Sequence, residues 1–146
     1  MAFDFPELNT IGALFRFAGV LEQAAIAVLE HAAAASDPGA ADGLRRMALK
    51  HRQRAEELDR ARREKLNETV LEPLMDMPRD PYVPAVPAEL AGLDAAALVA
   101  LARDIEQRSE LFYGDAAVRA GAVLAEVKRL FVRYQKEAAK NAASLG

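Results

Sequence analysis

The chain has 146 residues, of which 52% are apolar and 28% charged, with a formal net charge of −3. That length suits one domain with one buried core, and a charge balance of this kind gives no electrostatic drive toward nucleic acid or an anionic membrane. With no cysteine there is no disulfide framework, no thiolate zinc site and no cysteine nucleophile.

Leucine and alanine dominate, while the β-branched and aromatic residues that favour strands are sparse, so an all-α protein is expected. The N-terminus reads Met1-Ala2-Phe3-Asp4-Phe5-Pro6 and lacks a basic segment followed by an apolar one, the pattern of a signal peptide. The most apolar stretch, residues 18–35, is interrupted by Glu22, Glu30 and His31 and reads as too polar to span a membrane. A cytoplasmic protein is the expectation.

A first helix is predicted over residues 8–35. Its apolar row is Ile11, Phe15, Ala18, Glu22, Ala25, Leu29 and Ala32, in which Glu22 is the one charged member. Ser36-Asp37-Pro38-Gly39 then breaks the chain, with Asp37 as N-cap and Pro38 at the first helical position. The second helix, residues 38–66, has the inward row Leu44, Met47, His51, Arg54, Leu58 and Ala61, so two polar residues sit in mid-row one turn apart. Residues 67–93 hold five of the seven prolines (Pro73, Pro78, Pro81, Pro84 and Pro87) and read as an extended crossover with one short helical turn near residues 70–75.

Asp94 caps a third predicted helix over residues 94–119, with the row Leu98, Ala102, Glu106, Ser109, Tyr113 and Ala116; one carboxylate again interrupts it. Gly121 marks a tight turn. The fourth helix, residues 122–144, has the row Val127, Leu130, Phe131, Tyr134, Ala138 and Asn141. Two helix pairs joined by one long connection form a four-helix bundle layout. A helix of about 28 residues is roughly 42 Å long, a span that about 27 extended residues can cover.

The two halves repeat. Leu21-Glu22-Gln23-Ala24-Ala25 matches Ile105-Glu106-Gln107-Arg108-Ser109, and Leu44-Arg45-Arg46-Met47-Ala48 aligns with Phe131-Val132-Arg133-Tyr134-Gln135. With this repeat, the crossover, and Glu106 followed by Phe112-Tyr113, the chain resembles the ferritin-like superfamily and, within it, the rubrerythrin-like proteins. The Ser-Asp-Pro turn and the Leu-x-x-Met-Ala run resemble that family's entry into its second helix. The resemblance implies a single ferritin-like antiparallel four-helix bundle, residues 1–146, with one long crossover between helices 2 and 3.

It also implies a metal site built from one Glu on each of the first and third helices and a Glu-x-x-His pair on each of the other two. Carried over residue by residue, the single carboxylates are Glu22 and Glu106. The second-helix pair falls on His51 and Arg54, and the fourth-helix pair on Ala138 and Asn141. Another register of the fourth helix would bring Glu126 or Glu137 into play. Arg54 is a donor without a lone pair, so it cannot ligate a metal. A family iron–sulfur-type site with four Cys ligands is absent for want of cysteine.

The leading expectation is therefore a degenerate metal site in a non-catalytic binding or structural bundle, with no cofactor. Glu22, His51, Arg54, Glu106, Tyr113 and Asn141 would form a polar network in place of the metal, because buried carboxylates need cationic partners and an Arg fork matches a carboxylate. The alternative is a non-haem iron or manganese oxidoreductase using Glu22, His51 and Glu106 as a reduced ligand set. A third reading is a helical adaptor presenting the basic second helix, where Arg45, Arg46, Lys50, Arg52 and Arg60 recur; interleaved acids make a solvated face with i,i+4 pairs the simpler account. Tyr113 reads as a core tyrosine with a satisfied hydroxyl, and His31 as a surface residue. Phe3, Phe5 and Phe17 lie off the main rows and would pack on the crossover or form a dimer contact. A homodimer is the expected assembly, with no membrane and no nucleic-acid partner.

Overall fold

The computed structural model describes residues 3–65, 73–74, 77–121 and 124–146. Among these, the regular structure is four α-helices, α1 (Ile11–Ala35), α2 (Pro38–Lys65), α3 (Ala95–Gly121) and α4 (Ala125–Leu145), with one 3₁₀ turn, η1 (Asp80–Tyr82). There is no strand among the described residues, only an isolated bridge between Thr10 and Pro73.

The helix ends follow from local chemistry. The first helix begins at Ile11, three residues later than expected, because Thr10 is extended (φ −143°, ψ 163°) and its side chain accepts from the Ala13 N–H at 3.1 Å. Leu8 stays in the core from outside the helix. Asp37 accepts from the Ala40 N–H at 3.0 Å, and Asp94 from the Ala97 N–H at 2.8 Å, each serving as N-cap. Gly121, expected to mark a turn, is the last residue of α3, and the Leu124 N–H continues to the Ala120 carbonyl at 2.8 Å. The helical turn expected near residues 70–75 falls largely outside the described residues; the described turn, η1, comes later in the crossover.

Helix α3 packs on α1, α4 and η1, and α1 packs on both α2 and α3. By length and composition alone α1 is long and apolar enough to cross a membrane, a test that a core helix also passes, and most of its apolar stretch is buried inside the protein. The core falls into two apolar clusters. One joins all four helices to the crossover through Phe5, Phe15, Phe17, Tyr82, Phe112 and Phe131, among others. The other is rich in alanine and sits between α1, α2 and α3, with Val28, Leu29, Leu44, Leu98 and Ile105 as its larger members.

The aromatic cluster anchors the crossover. Phe17 stacks on Phe112 (centroids 4.7 Å apart) and meets Phe5 and Tyr82 at 4.9 and 6.3 Å. Phe5 and Phe17 are thus core side chains packed on the crossover, unavailable to a dimer contact. Burying each such ring is worth about 1.5–3 kcal/mol. Tyr82 also donates to Asp115 at 2.6 Å, fixing η1 against α3.

Candidate functional site: a buried charged layer

Between the two apolar clusters lies a layer of charge. Buried apolar residues lie beside it in each row: Leu21 and Ala25 flank Glu22 on α1, and Ala102 and Ile105 lie beside Glu106 on α3. On α2, His51 and Arg54 follow Ala48 and precede Leu58 at helical spacing, so the same face that packs the clusters delivers both cations to the layer. Relative exposure is 1% for Glu22, 0% for His51, 3% for Arg54 and 0% for Glu106, so solvent does not stabilise these charges; they must stabilise one another.

His51 bridges the two carboxylates. Its Nδ1 lies 3.0 and 3.2 Å from the Glu22 oxygens, and its Nε2 is hydrogen-bonded to Glu106 Oε1. A neutral imidazole donates from only one nitrogen. With a carboxylate at each nitrogen, the ring donates from both and is an imidazolium. Burial works against that charge, but Glu22 and Glu106 outweigh it and push the pKa up from 6.5 to about 9.

Arg54 completes the layer. It donates from Nη1 to Glu22 at 2.9 and 3.4 Å and from Nη2 to Glu137 at 3.0 Å, and its guanidinium carbon lies 5.1 Å from the Tyr134 ring centroid. Burial alone would raise the Glu22 pKa, but His51 and Arg54 together hold it below the ordinary carboxylate value. Asn141 donates to the second Glu106 oxygen at 3.2 Å. Two carboxylates and two cations cancel within the buried layer, while Glu137 reaches Arg54 from a half-exposed position (45% exposed side chain).

Of the residues singled out from sequence, Glu22, His51, Arg54, Glu106 and Asn141 are joined in one hydrogen-bonded chain. Tyr113 is adjacent and fully buried, but its hydroxyl has no partner among the described residues, contrary to the expected satisfied core tyrosine; Arg54 Nε is likewise buried without one among them. The i+7 spacing from Glu106 places Tyr113 in the aromatic cluster, where it meets Phe112, Phe131 and Tyr134. Ala138 is buried and contributes no polar atom, and His31 is exposed, with Nδ1 2.8 Å from the Ala27 carbonyl oxygen. Glu137 entered the sequence reading only through an alternative register; it lies beside the apolar row, and the reach of Arg54 brings it in. The Glu57 contacts to Tyr134 (2.6 Å) and Arg133 were not anticipated, since they join residues 77 and 76 apart without a periodic signal.

The layer does not fit an iron or manganese ion. Both His51 nitrogens are spent as donors, and the Glu22 oxygens already accept from His51 and Arg54. A guanidinium beside the would-be ion adds repulsion. Among the described residues no group of three or more His, Cys, Asp or Glu is arranged to hold a metal ion.

Comparison with family models, curated proteins and solved structures returned no match for this chain.

Proposed function

We propose that this chain is a rubrerythrin-related, ferritin-like antiparallel bundle in which an Arg/His–Glu network stands where the family holds metal, and that it works as a non-catalytic binding or structural protein. The observation that carries this reading is the His51 bridge: one imidazolium donates to both Glu22 and Glu106 while Arg54 takes the remaining charge of Glu22. The internal repeat supports the ferritin-like assignment, since Glu22 and Glu106 are its matched positions and both turn into the same layer. The antiparallel arrangement is supported by pairings across α1 and α2: Glu30 meets Arg52, whereas Phe15 and Gly19, earlier on α1, lie with Leu58 and Arg62, later on α2. The exposed Leu111 and Val118 on α3 are apolar side chains on which a second copy could pack in the proposed homodimer.

The chemistry of the layer is binding and positioning. Its protons are held by paired charges, and no nucleophile stands beside a base within it. Elemental analysis of the purified chain tests the reading: the expected iron and manganese content is far below one per chain, unchanged by Glu22→Gln. Stoichiometric iron or manganese that is lost on substituting Glu22 or Glu106 would overturn it in favour of the oxidoreductase.

A further inference from the structure

The strongest contacts in the fold are α1 with α2, α1 with α3, and α3 with α4; α2 and α4 are not among them. On that side a cleft of about 430 Å³ opens against the charged layer, lined by side chains of α2 and α4. A volume in this range accommodates a small metabolite. Five cations line it, Lys50, Arg54, Arg60, Arg133 and Lys140, against the two carboxylates Glu57 and Glu137. Glu57 is occupied, accepting from Tyr134 and Arg133.

Arg54 is the deepest of these cations, and its bonding is incomplete on one edge. Nη1 is taken by Glu22 inside the layer. The Nε–Nη2 edge is a fork that can hold an oxyanion by two parallel bonds. Glu137 takes only Nη2 of that fork, at 3.0 Å, and Nε is left buried without an acceptor among the described residues. A buried donor in this state carries the full cost of its lost hydration. Glu137 itself is half-exposed, so moving it aside returns its carboxylate to water at little cost. It fills the mouth of the fork as an internal, displaceable acceptor.

We infer that the α2–α4 cleft is a binding site for a small oxyanion, a carboxylate or phosphate group, which displaces Glu137 and closes the Arg54 fork while Lys50, Arg60 and Lys140 neutralise its remaining charge. This names a ligand class for the binding role proposed above, and it rests on that reading only in taking Arg54 as a fixed cation. The ligand docks without bond making or breaking. The carboxylate of Glu137 swings into solvent, Arg54 exchanges it for the ligand, and the bonds among Glu22, His51, Arg54 and Glu106 are kept.

Inorganic phosphate and citrate, titrated separately into the full-length chain by calorimetry and by amide NMR, test this. Saturable binding with shifts centred on α2 and α4 is expected for one probe or both, and the stronger probe identifies the ligand group. Glu137→Ala, at a half-exposed position that leaves the fold intact, removes the internal competitor and tightens binding roughly tenfold; Arg60→Ala with Lys140→Ala, both on exposed side chains, weakens it roughly tenfold. No saturable binding of either probe to the parent chain or to Glu137→Ala, or affinities unmoved by both sets of substitutions, would overturn the inference. Metal content measured on the same samples separates the two ideas. Stoichiometric iron or manganese with anion binding intact sinks the metal-free reading alone, and silent titrations of a metal-free chain sink the cleft alone.

Discussion

Raising the pH removes the charge that joins the two halves of the buried layer. Folded, His51 titrates at about 9, held up by Glu22 and Glu106 against the opposing effect of burial; unfolded, it titrates near ~6.5. A pKa raised by folding contributes stability that is full below the unfolded pKa and is lost as pH rises through the folded one. The contribution is therefore complete at about pH 6, shrinks across the window from about 6.5 to 9, and is gone above it. The gap of about 2.5 pH units is worth about 3 kcal/mol, and full burial of the ring leaves no solvent screening to discount it. At roughly 3 °C per kcal/mol for a chain of this size, Tm falls by about 10 °C between about pH 6 and pH 10. Calorimetric scans at constant ionic strength measure this, with His51→Gln as the reference because exposed groups titrate alike in both chains. The variant starts less stable at the low end and lacks the His51 part of the slope. A parent Tm that is flat across this range, or a slope identical in His51→Gln, refutes the imidazolium bridge.

Other perturbations separate the remaining interactions. On the acid side, the depressed Glu22 pKa contributes stability that is present above about 4.5 and lost as pH falls, so Glu22→Gln flattens the acid limb of the same Tm profile. Arg54→Met leaves Glu22 paired with His51 alone and costs about 2–3 kcal/mol in chemical denaturation, and adding Glu22→Gln recovers part of it; a purely additive double variant would show that the pair is not coupled. Tyr113→Phe deletes a hydroxyl without a partner among the described residues and is neutral or stabilising by up to about 1 kcal/mol, whereas a clear loss of stability would reveal a bond to that hydroxyl. Gly19→Ala lies inside α1 with no heavy atom within 4 Å of the added carbon, and it stabilises by roughly 1 kcal/mol in the same denaturation assay. Thr10→Ala removes the α1 cap and costs about 1 kcal/mol there.

Most of the helical organisation was legible because each row pairs apolar periodicity with a chemically distinct start. Asp37-Pro38 and Asp94 announce α2 and α3, and α2 ends within one residue of its expected limit. The α1 start was misplaced because Leu8 continues the apolar pattern beyond the helix, and periodicity alone does not register that Thr10 is extended. The buried layer was legible for a related reason. A charged residue in mid-row must go inside with its row, and Glu22, His51, Arg54 and Glu106 all did so. Glu137 escaped that logic because it stands outside the row and joins through the length of an Arg side chain. The crossover was read as an extended connection with one helical turn near residues 70–75, a surface for Phe3, Phe5 and Phe17 to pack on; that Met77 and Tyr82 are themselves buried in the aromatic cluster was not foreseen. No short-range pattern marks a proline-rich segment as part of a core.

The alanine-rich packing of α1 on α2 poses a problem of alignment. Alanine faces such as Ala24, Ala25, Ala32 and Ala33 on α1 and Ala41 and Ala48 on α2 discriminate weakly between lengthwise offsets of one turn, about 5.4 Å. The charged layer sharpens that discrimination. Sliding α2 by one turn would take His51 and Arg54 away from Glu22 and set them against the apolar residues of one cluster or the other, leaving unpaired buried charges at several kcal/mol. The four charges thus add a phase mark to the short Ser36-Asp37 connection and the larger core side chains, and the mark is set from α3 as well, through the bond that Glu106 receives from the same imidazole.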